Sequence, residues 1–257
     1  MSADVTSANV VGYQNKELSG NSAFNLSVAT FKVVGRDADK MTLGDIAASA
    51  DWMAGSDEIK TLKANGAVDQ AYTYVGAADA ADWGCPAGWY LTADVNDELI
   101  EDLTPCCKNG DPLPLGNGLL VLVASASTTL TYSGEVLAAD QPIALKGNSA
   151  FNITGNISPI DLTLGDIAAS ADWMAGSDEL KTLKANGAAD QAYTYVGAAD
   201  AADWGCPVGW YLTADVNDEL IEDLTPYCKN AVSVKAGEAF IVLVASATTT
   251  ITIPSAL

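Results

Sequence analysis

This 257-residue chain is constrained above all by being written nearly twice. Residues 41–105 align without gaps to 162–226, an offset of 121, and 61 of the 65 positions are identical. The four differences are Met41/Leu162, Ile59/Leu180, Val68/Ala189 and Ala87/Val208. Each exchanges one apolar residue for another, a change that packed interiors tolerate. Outside this block the copies diverge but stay alignable. GNSAFN occurs at Gly20–Asn25 and at Gly147–Asn152, and VLVASASTTLTYS in the first copy answers VLVASATTTITIP in the second. The repeat divides the chain into two units, 1–133 and 134–257. Units of this size bury about two-thirds of their unfolded surface, enough for a core each. No Pro- or Ser-rich linker separates them, so the junction is expected to be tight.

Within a copy the pattern is mostly β. Short runs rich in Val, Thr, Tyr and Phe sit between Gly, Asn, Asp and Pro: Ala23–Val34, Glu58–Leu62, Gln70–Val75, Leu119–Ala124 and Thr128–Tyr132. Asn65-Gly66 supplies the residues a hairpin turn wants. Two short helices are expected, Ile46–Ala50 behind an acidic first turn and Ala77–Trp83. Asp94–Leu103 is open to a helix with Leu99, Ile100 and Leu103 on one face. The expected fold is mainly β, with two tandem β-sandwich-like modules carrying one or two short helices each.

The charge balance excludes several function classes. Thirty-three acidic residues face 12 basic ones, a net charge of −21, and Arg36 is the single arginine. Nucleic acid binding needs clusters of Lys and Arg to displace counterions, so no nucleic-acid partner is expected. The longest apolar run, Gly118–Ala126, is far short of a membrane span, so no membrane insertion is expected. The polar, acidic N-terminus lacks the pattern of a signal peptide. The chain has no histidine, which removes the commonest general base and the commonest zinc ligand. No catalytic residues are assigned and an enzyme is not expected.

Cys85 aligns with Cys206 and Cys107 with Cys228. Two thiols without a histidine or a second CxxC make a poor zinc site, so each pair reads as a disulfide, worth about 3 kcal/mol for a loop of this size. Disulfides would place the protein outside the cell or at its surface, its signal peptide removed. Cys106 replaces Tyr227 of the second copy and is left unpaired. It is a partly buried thiol, an alternative partner for Cys85, or the site of an intermolecular bond.

Carboxylates are plentiful: Asp45, Asp51, Asp57, Glu58, Asp97, Glu98, Glu101 and Asp102 each have a twin in the second copy. A solvated acidic face explains them more simply than a catalytic pair. Asp94, Asn96 and Asp97, repeated as Asp215, Asn217 and Asp218, bring oxygen ligands close enough for Ca²⁺ but lack the spacing and glycine of an EF-hand loop. The competing reading is a helix cap on an exposed face; no other cofactor is expected. The tryptophans form two triplets, Trp52, Trp83, Trp89 and Trp173, Trp204, Trp210, readable as core or as a sugar platform. Asn25, Asn152 and Asn156 begin glycosylation sequons and admit glycans as partners.

Trp52-Met53-Ala54-Gly55-Ser56-Asp57-Glu58-Ile59, Tyr72-Thr73-Tyr74, Gly88-Trp89-Tyr90 and Ala236-Gly237-Glu238-Ala239-Phe240 occur in this order. The set resembles a module of tandem copies in secreted surface proteins of Verrucomicrobia-like bacteria. The first copy departs from it at Leu115-Gly116-Asn117-Gly118-Leu119. The resemblance implies β-architecture and a surface location, and no activity.

The expected function is a structural subunit of an extracellular filament or surface layer, with copies of itself as partners. The alternative is a secreted carbohydrate- or cell-surface-binding module using exposed Trp and Tyr. Polymerisation is expected head-to-tail. The outgoing strand with Thr250, Ile251, Thr252 and Ile253 would pair with an incoming segment containing Val5, Asn9, Val10, Val11 and Tyr13 of the next subunit.

Overall fold

The computed structural model describes residues 11–28, 30–31, 40–63, 67–114, 116, 118–184 and 188–255. The Asn65-Gly66 turn, Arg36, and the proposed contact residues Val5, Asn9 and Val10 lie outside them. The first copy contains β1 (Val11–Leu18), β2 (Ala23–Val28), β3 (Lys40–Thr42), β4 (Ile46–Ala48), β5 (Glu58–Leu62) and β6 (Val68–Val75). It continues with α1 (Ala77–Trp83), β7 (Gly88–Leu91), α2 (Thr92–Val95), β8 (Pro112–Pro114), β9 (Gly118–Val123) and β10 (Thr128–Glu135). The second repeats the order as β11 (Gln141–Leu145), β12 (Ala150–Gly155), β13 (Leu162–Thr163), β14 (Ala168–Ala169), β15 (Glu179–Leu183) and β16 (Ala189–Val196). It ends with α3 (Ala198–Trp204), β17 (Gly209–Leu212), α4 (Thr213–Val216), β18 (Ser233–Val234), β19 (Ala239–Val244) and β20 (Thr249–Ile253).

The chain is mainly β, as its sequence pattern indicates, and the strands form several small antiparallel sheets. Each copy has a three-stranded sheet, β1-β10-β4 or β11-β20-β14, and a five-stranded sheet, β2-β9-β5-β6-β7 or β12-β19-β15-β16-β17. A two-stranded ribbon, β3-β8 or β13-β18, completes it. Every strand pairing joins strands of the same copy. The first copy's core draws on both larger sheets: Leu18, Ile46, Leu130 and Tyr132 from one, Ile59, Tyr72, Val121 and Val123 from the other. β9 is an inner strand of the five-stranded sheet, paired with β2 on one side and β5 on the other, which explains why GLLVLV is apolar almost throughout.

Two helical expectations change. Ile46–Ala48 is a strand, not a helix: Ile46 is buried and pairs with Tyr132 across the sheet. The acidic turn before it is a short 3-10 turn, closed by the Asp45 carboxylate, which accepts from the Thr42 N–H at 2.8 Å and its hydroxyl at 2.6 Å. After α2 the chain does not continue as a helix. Asp97 and Asp102 accept from the N–H two residues ahead, of Leu99 and Thr104, and so offer the backbone turns in place of helical bonds. Helix α1 forms where expected, and Gly84 ends it in the left-handed conformation.

One buried carboxylate ties each copy together. Asp57 is fully buried. It accepts from the N–H of Met53 (2.8 Å), Ala124 (2.8 Å) and Ser125 (3.0 Å) and from the Ser125 hydroxyl (2.7 Å). Asp178 repeats the set with Met174, Ala245 and Ser246. The carboxylate thereby joins the loop before β5 to the turn after β9, two segments far apart in sequence.

The copies pack on each other reciprocally. Their leading strands align with an offset of 127, so Leu26 is the equivalent of Ile153, while Gly118 corresponds to Ala239 at the offset of 121. Ile153 fills the space a Cβ would need at Gly118, so only glycine fits there. Leu26 packs against the second copy's core and lines a cleft beside Ala239. The same patch is thus used from both sides, the pattern of a two-fold, self-complementary contact.

One buried hydrogen bond of the first copy is lost in the second. Ser27 and Tyr132 share a 2.6 Å bond in the first. Their counterparts are Thr154 and Ile253, and the buried Thr154 hydroxyl meets no partner among the described residues. Replacing Asp57 with Ala strips four donors of their acceptor and should cost about 3–5 kcal/mol, read as a fall in the denaturant midpoint of the first copy's transition. Thr154→Val, by contrast, removes an unsatisfied hydroxyl at constant shape and should leave stability unchanged or raise it by about 1 kcal/mol; a loss of that size would mean the hydroxyl is hydrogen-bonded.

Candidate functional site

The cysteines do not form the expected bridges. All five are free in the structure, so the disulfide reading of Cys85, Cys107, Cys206 and Cys228 is corrected. What each pair of thiols faces instead is a tyrosine hydroxyl. The Tyr90 hydroxyl donates to the Pro86 carbonyl at 2.6 Å and lies within hydrogen-bonding reach of both the Cys85 and Cys107 thiols. Tyr211 repeats this with Pro207, Cys206 and Cys228. Burial, and then the neighbouring thiols, push both hydroxyls well above the usual tyrosine range. Cys106 is partly buried against the same small cluster.

The Ca²⁺ reading also fails to assemble. The Asn96 amide nitrogen donates to the Gly55 carbonyl at 3.1 Å, and Asn217 does the same to Gly176 at 3.0 Å. Asp97 and Asp218 each cap a turn. Among the described residues no group of three or more acidic or thiol side chains is placed to hold a metal, with Asp94 and Asp215 included. The Asn96 and Asn217 side chains thus hold the loop before β5 or β15, and Asp97 and Asp218 the backbone two residues ahead. Two other carboxylates are also engaged: Glu58 pairs with Lys60 at 2.8 Å, and the bond from Thr104 holds Asp102 below the usual range.

The tryptophans divide. Trp52 and Trp89 are buried and meet edge to face at 5.4 Å, with Tyr74 at 5.3 Å from Trp89. The Trp89 indole donates to the Ile46 carbonyl at 2.8 Å. Trp173 and Trp210 repeat the pair, so Trp83 and Trp204 alone of the six are half exposed. The sequon asparagines are structural as well. Asn156 is fully buried and its amide donates to the Ile160, Val234 and Lys235 carbonyls. Asn25 and Asn152 close the turn before their own strands, accepting from the N–H and donating to the carbonyl of Ser19 and Lys146.

The outgoing strand is not available for a neighbour. β20 pairs along Thr249–Ile253 with β11 and through Ile251 and Thr252 with β14, so both its edges are used. Thr250, Ile251, Thr252 and Ile253 therefore cannot form the expected polymer contact in this state. β1 pairs with β10 from Val11 to Leu18, and Tyr13 stands exposed on it. Among the described residues no strand lies along its other edge.

Two clefts lie where the copies meet, a location the repeat alone did not reveal. The larger, about 350 Å³, is lined by Lys16, Phe24, Leu26, Lys184, Lys235 and Glu238 among others. The smaller, about 150 Å³, is lined by Lys63, Gly118, Lys146, Phe151 and Ile153. They are counterparts: Phe151 answers Phe24, and Lys184 answers Lys63. Five of the chain's 12 basic residues line the two clefts. Burial pushes the Lys16 ammonium down from its usual value, with Glu238 opposing. Lys235 bonds Asp161 at 2.7 Å. Among the described residues no helix is long and apolar enough to cross a membrane. Comparison with protein-family models, curated proteins and solved structures finds no match for this chain.

Burial also governs the tyrosines. It is the leading cause in raising Tyr72 and Tyr132 to about 12 and in shifting Tyr193 and Tyr195 upward. An unfolded tyrosine ionises near pH 10, roughly, so between about pH 10 and 12 the folded state holds protons the unfolded state releases. Stability is full below that window and falls as pH rises through it. Ultraviolet titration should therefore show these tyrosines ionising together with loss of structure; their reversible ionisation near pH 10 in the folded protein would contradict the packing described.

Proposed function

We propose that the chain is a structural, non-enzymatic subunit that associates with copies of itself at the cell surface, built from two tandem β-sandwich-like modules. The three- and five-stranded sheets that share each core would be the two layers. The observation that carries this reading is that both the framework and its exposed features are duplicated. The Asp clamp, the tryptophan pair and the tyrosine between two thiols recur in both copies, as do the same exposed apolar side chains. Two equivalent faces on one molecule give each subunit at least two contacts, which extended assemblies require. The resemblance to surface-protein modules supports the location.

The contact differs from a handover between chain ends. The internal junction is self-complementary and β20 is enclosed, so the association surface lies on the sides of the molecule. A binding module for sugars retains one half-exposed tryptophan per copy, Trp83 and Trp204.

At −21, subunits repel one another over about 30 Å at 10 mM salt but only about 8 Å at physiological ionic strength. Sedimentation and negative-stain microscopy should show filaments or sheets forming as protein concentration and ionic strength rise. Monodisperse particles under all those conditions, retained by a glycan column, would replace this reading with the binding module.

A further inference from the structure

Leu99 is the most conspicuous apolar residue left in water. It is 87% exposed, and its twin Leu220 is 88% exposed. Neither is on a frayed segment. The Asp97 carboxylate accepts from the Leu99 N–H at 3.0 Å, and the Ile100 N–H donates to the Asp97 carbonyl at 3.1 Å. Ile100 and Leu103 on the same loop are anchored in the small cluster around Tyr90. The loop is therefore held in shape with one leucine pointing outward and carboxylates on either side: Asp97, Glu98, Glu101 and Asp102. A preformed loop loses little freedom on docking.

The clefts between the copies have the opposite character. Phe24 and Phe151 line them while 48% and 53% exposed. The lysines around the two rings are Lys16, Lys184 and Lys235 in one, beside Glu17 and Glu238, and Lys63 and Lys146 in the other, whose described lining holds no acid. Lys235 is held by Asp161 at 2.7 Å, while Lys184 and Lys63 lie 4.0 Å and 3.9 Å from Asp190 and Asp69 on the exposed surface, where such pairs are weak. In a chain with 33 acidic and 12 basic residues, this is where positive charge collects. An apolar tip ringed by carboxylates and an apolar cleft whose lining carries more lysines than acids are complementary in both respects, most clearly at the smaller cleft. Each molecule carries two of each.

We propose that the leucine-tipped loop around Leu99, or around Leu220, inserts into the phenylalanine-lined cleft of a second copy of this chain. The proposal rests on the self-associating reading above and supplies its contact. The knob and the cleft are different surfaces, so the contact does not close on itself and extends the assembly.

The test uses two double variants. Leu99→Asp with Leu220→Asp removes both knobs, and Phe24→Asp with Phe151→Asp blocks both clefts. The leucines are largely and the phenylalanines about half exposed, and circular dichroism and thermal melting check that each variant folds. Each variant alone should lose association at least tenfold by sedimentation equilibrium. Mixing them should restore assembly, because intact clefts then meet intact knobs. Wild-type association by either variant alone overturns the contact while leaving the self-associating function standing. Failure of the mixture to assemble also overturns it. A wild-type chain that stays monomeric fails the function itself, and if that monomer binds polyglutamate in its clefts, the clefts serve a different acidic partner.

Discussion

A fully buried carboxylate organises each copy. Asp57 and Asp178 receive four hydrogen bonds apiece from groups that would otherwise be left without acceptors. A buried charge is tolerated only when its lone pairs are satisfied this fully. The arrangement in turn depends on Gly55, whose positive φ of 79° bends the loop back, and whose missing side chain leaves room for the Asn96 amide. With the loop fixed, Trp52 is delivered to Trp89, and the edge-to-face pair seals the core.

The β character, helix α1, the limits of β5 and the position of β9 were legible because they rest on local pattern. The functional expectations depended on what lies across the fold, and there pattern was ambiguous. Cysteines 22 residues apart fit a bridge as readily as they fit two thiols flanking a tyrosine. Asp94, Asn96 and Asp97 read equally as ligands or as backbone caps. Leu99 looked like one face of a helix, and the helix stops before it. The clefts were least legible of all, since each is assembled from both copies and no contiguous motif marks it. The twice-written GNSAFN held the one available hint, a phenylalanine in a strand whose neighbours are polar.

The differences between the copies follow the packing. Through 41–105 and 162–226 the sequence is almost unchanged. Where the copies touch or the edges differ, exchanges come in compensating sets. The Ser27–Tyr132 bond becomes Thr154 with Ile253, and Gly118, which yields to Ile153, becomes Ala239 beside Leu26. The two-fold relation is therefore approximate, and the clefts it creates differ in volume.

The place of β10 and β20 has a consequence for how the chain is made. Each is the last strand of its copy and the middle strand of its sheet, so neither copy can finish folding until its own end has left the ribosome. By then a nascent chain offers two nearly equivalent last strands, TTLTYS and TTITIP, for the same slot. Tandem repeats this alike are prone to swapping such pieces. What distinguishes correct from exchanged pairing is the small divergent portion: Asn15 accepting from Thr131 at 2.9 Å, and Tyr132 finding Ser27. The few positions at which the copies disagree act as address labels, and erasing them to make the repeats identical would produce misassembled chains rather than a more regular protein.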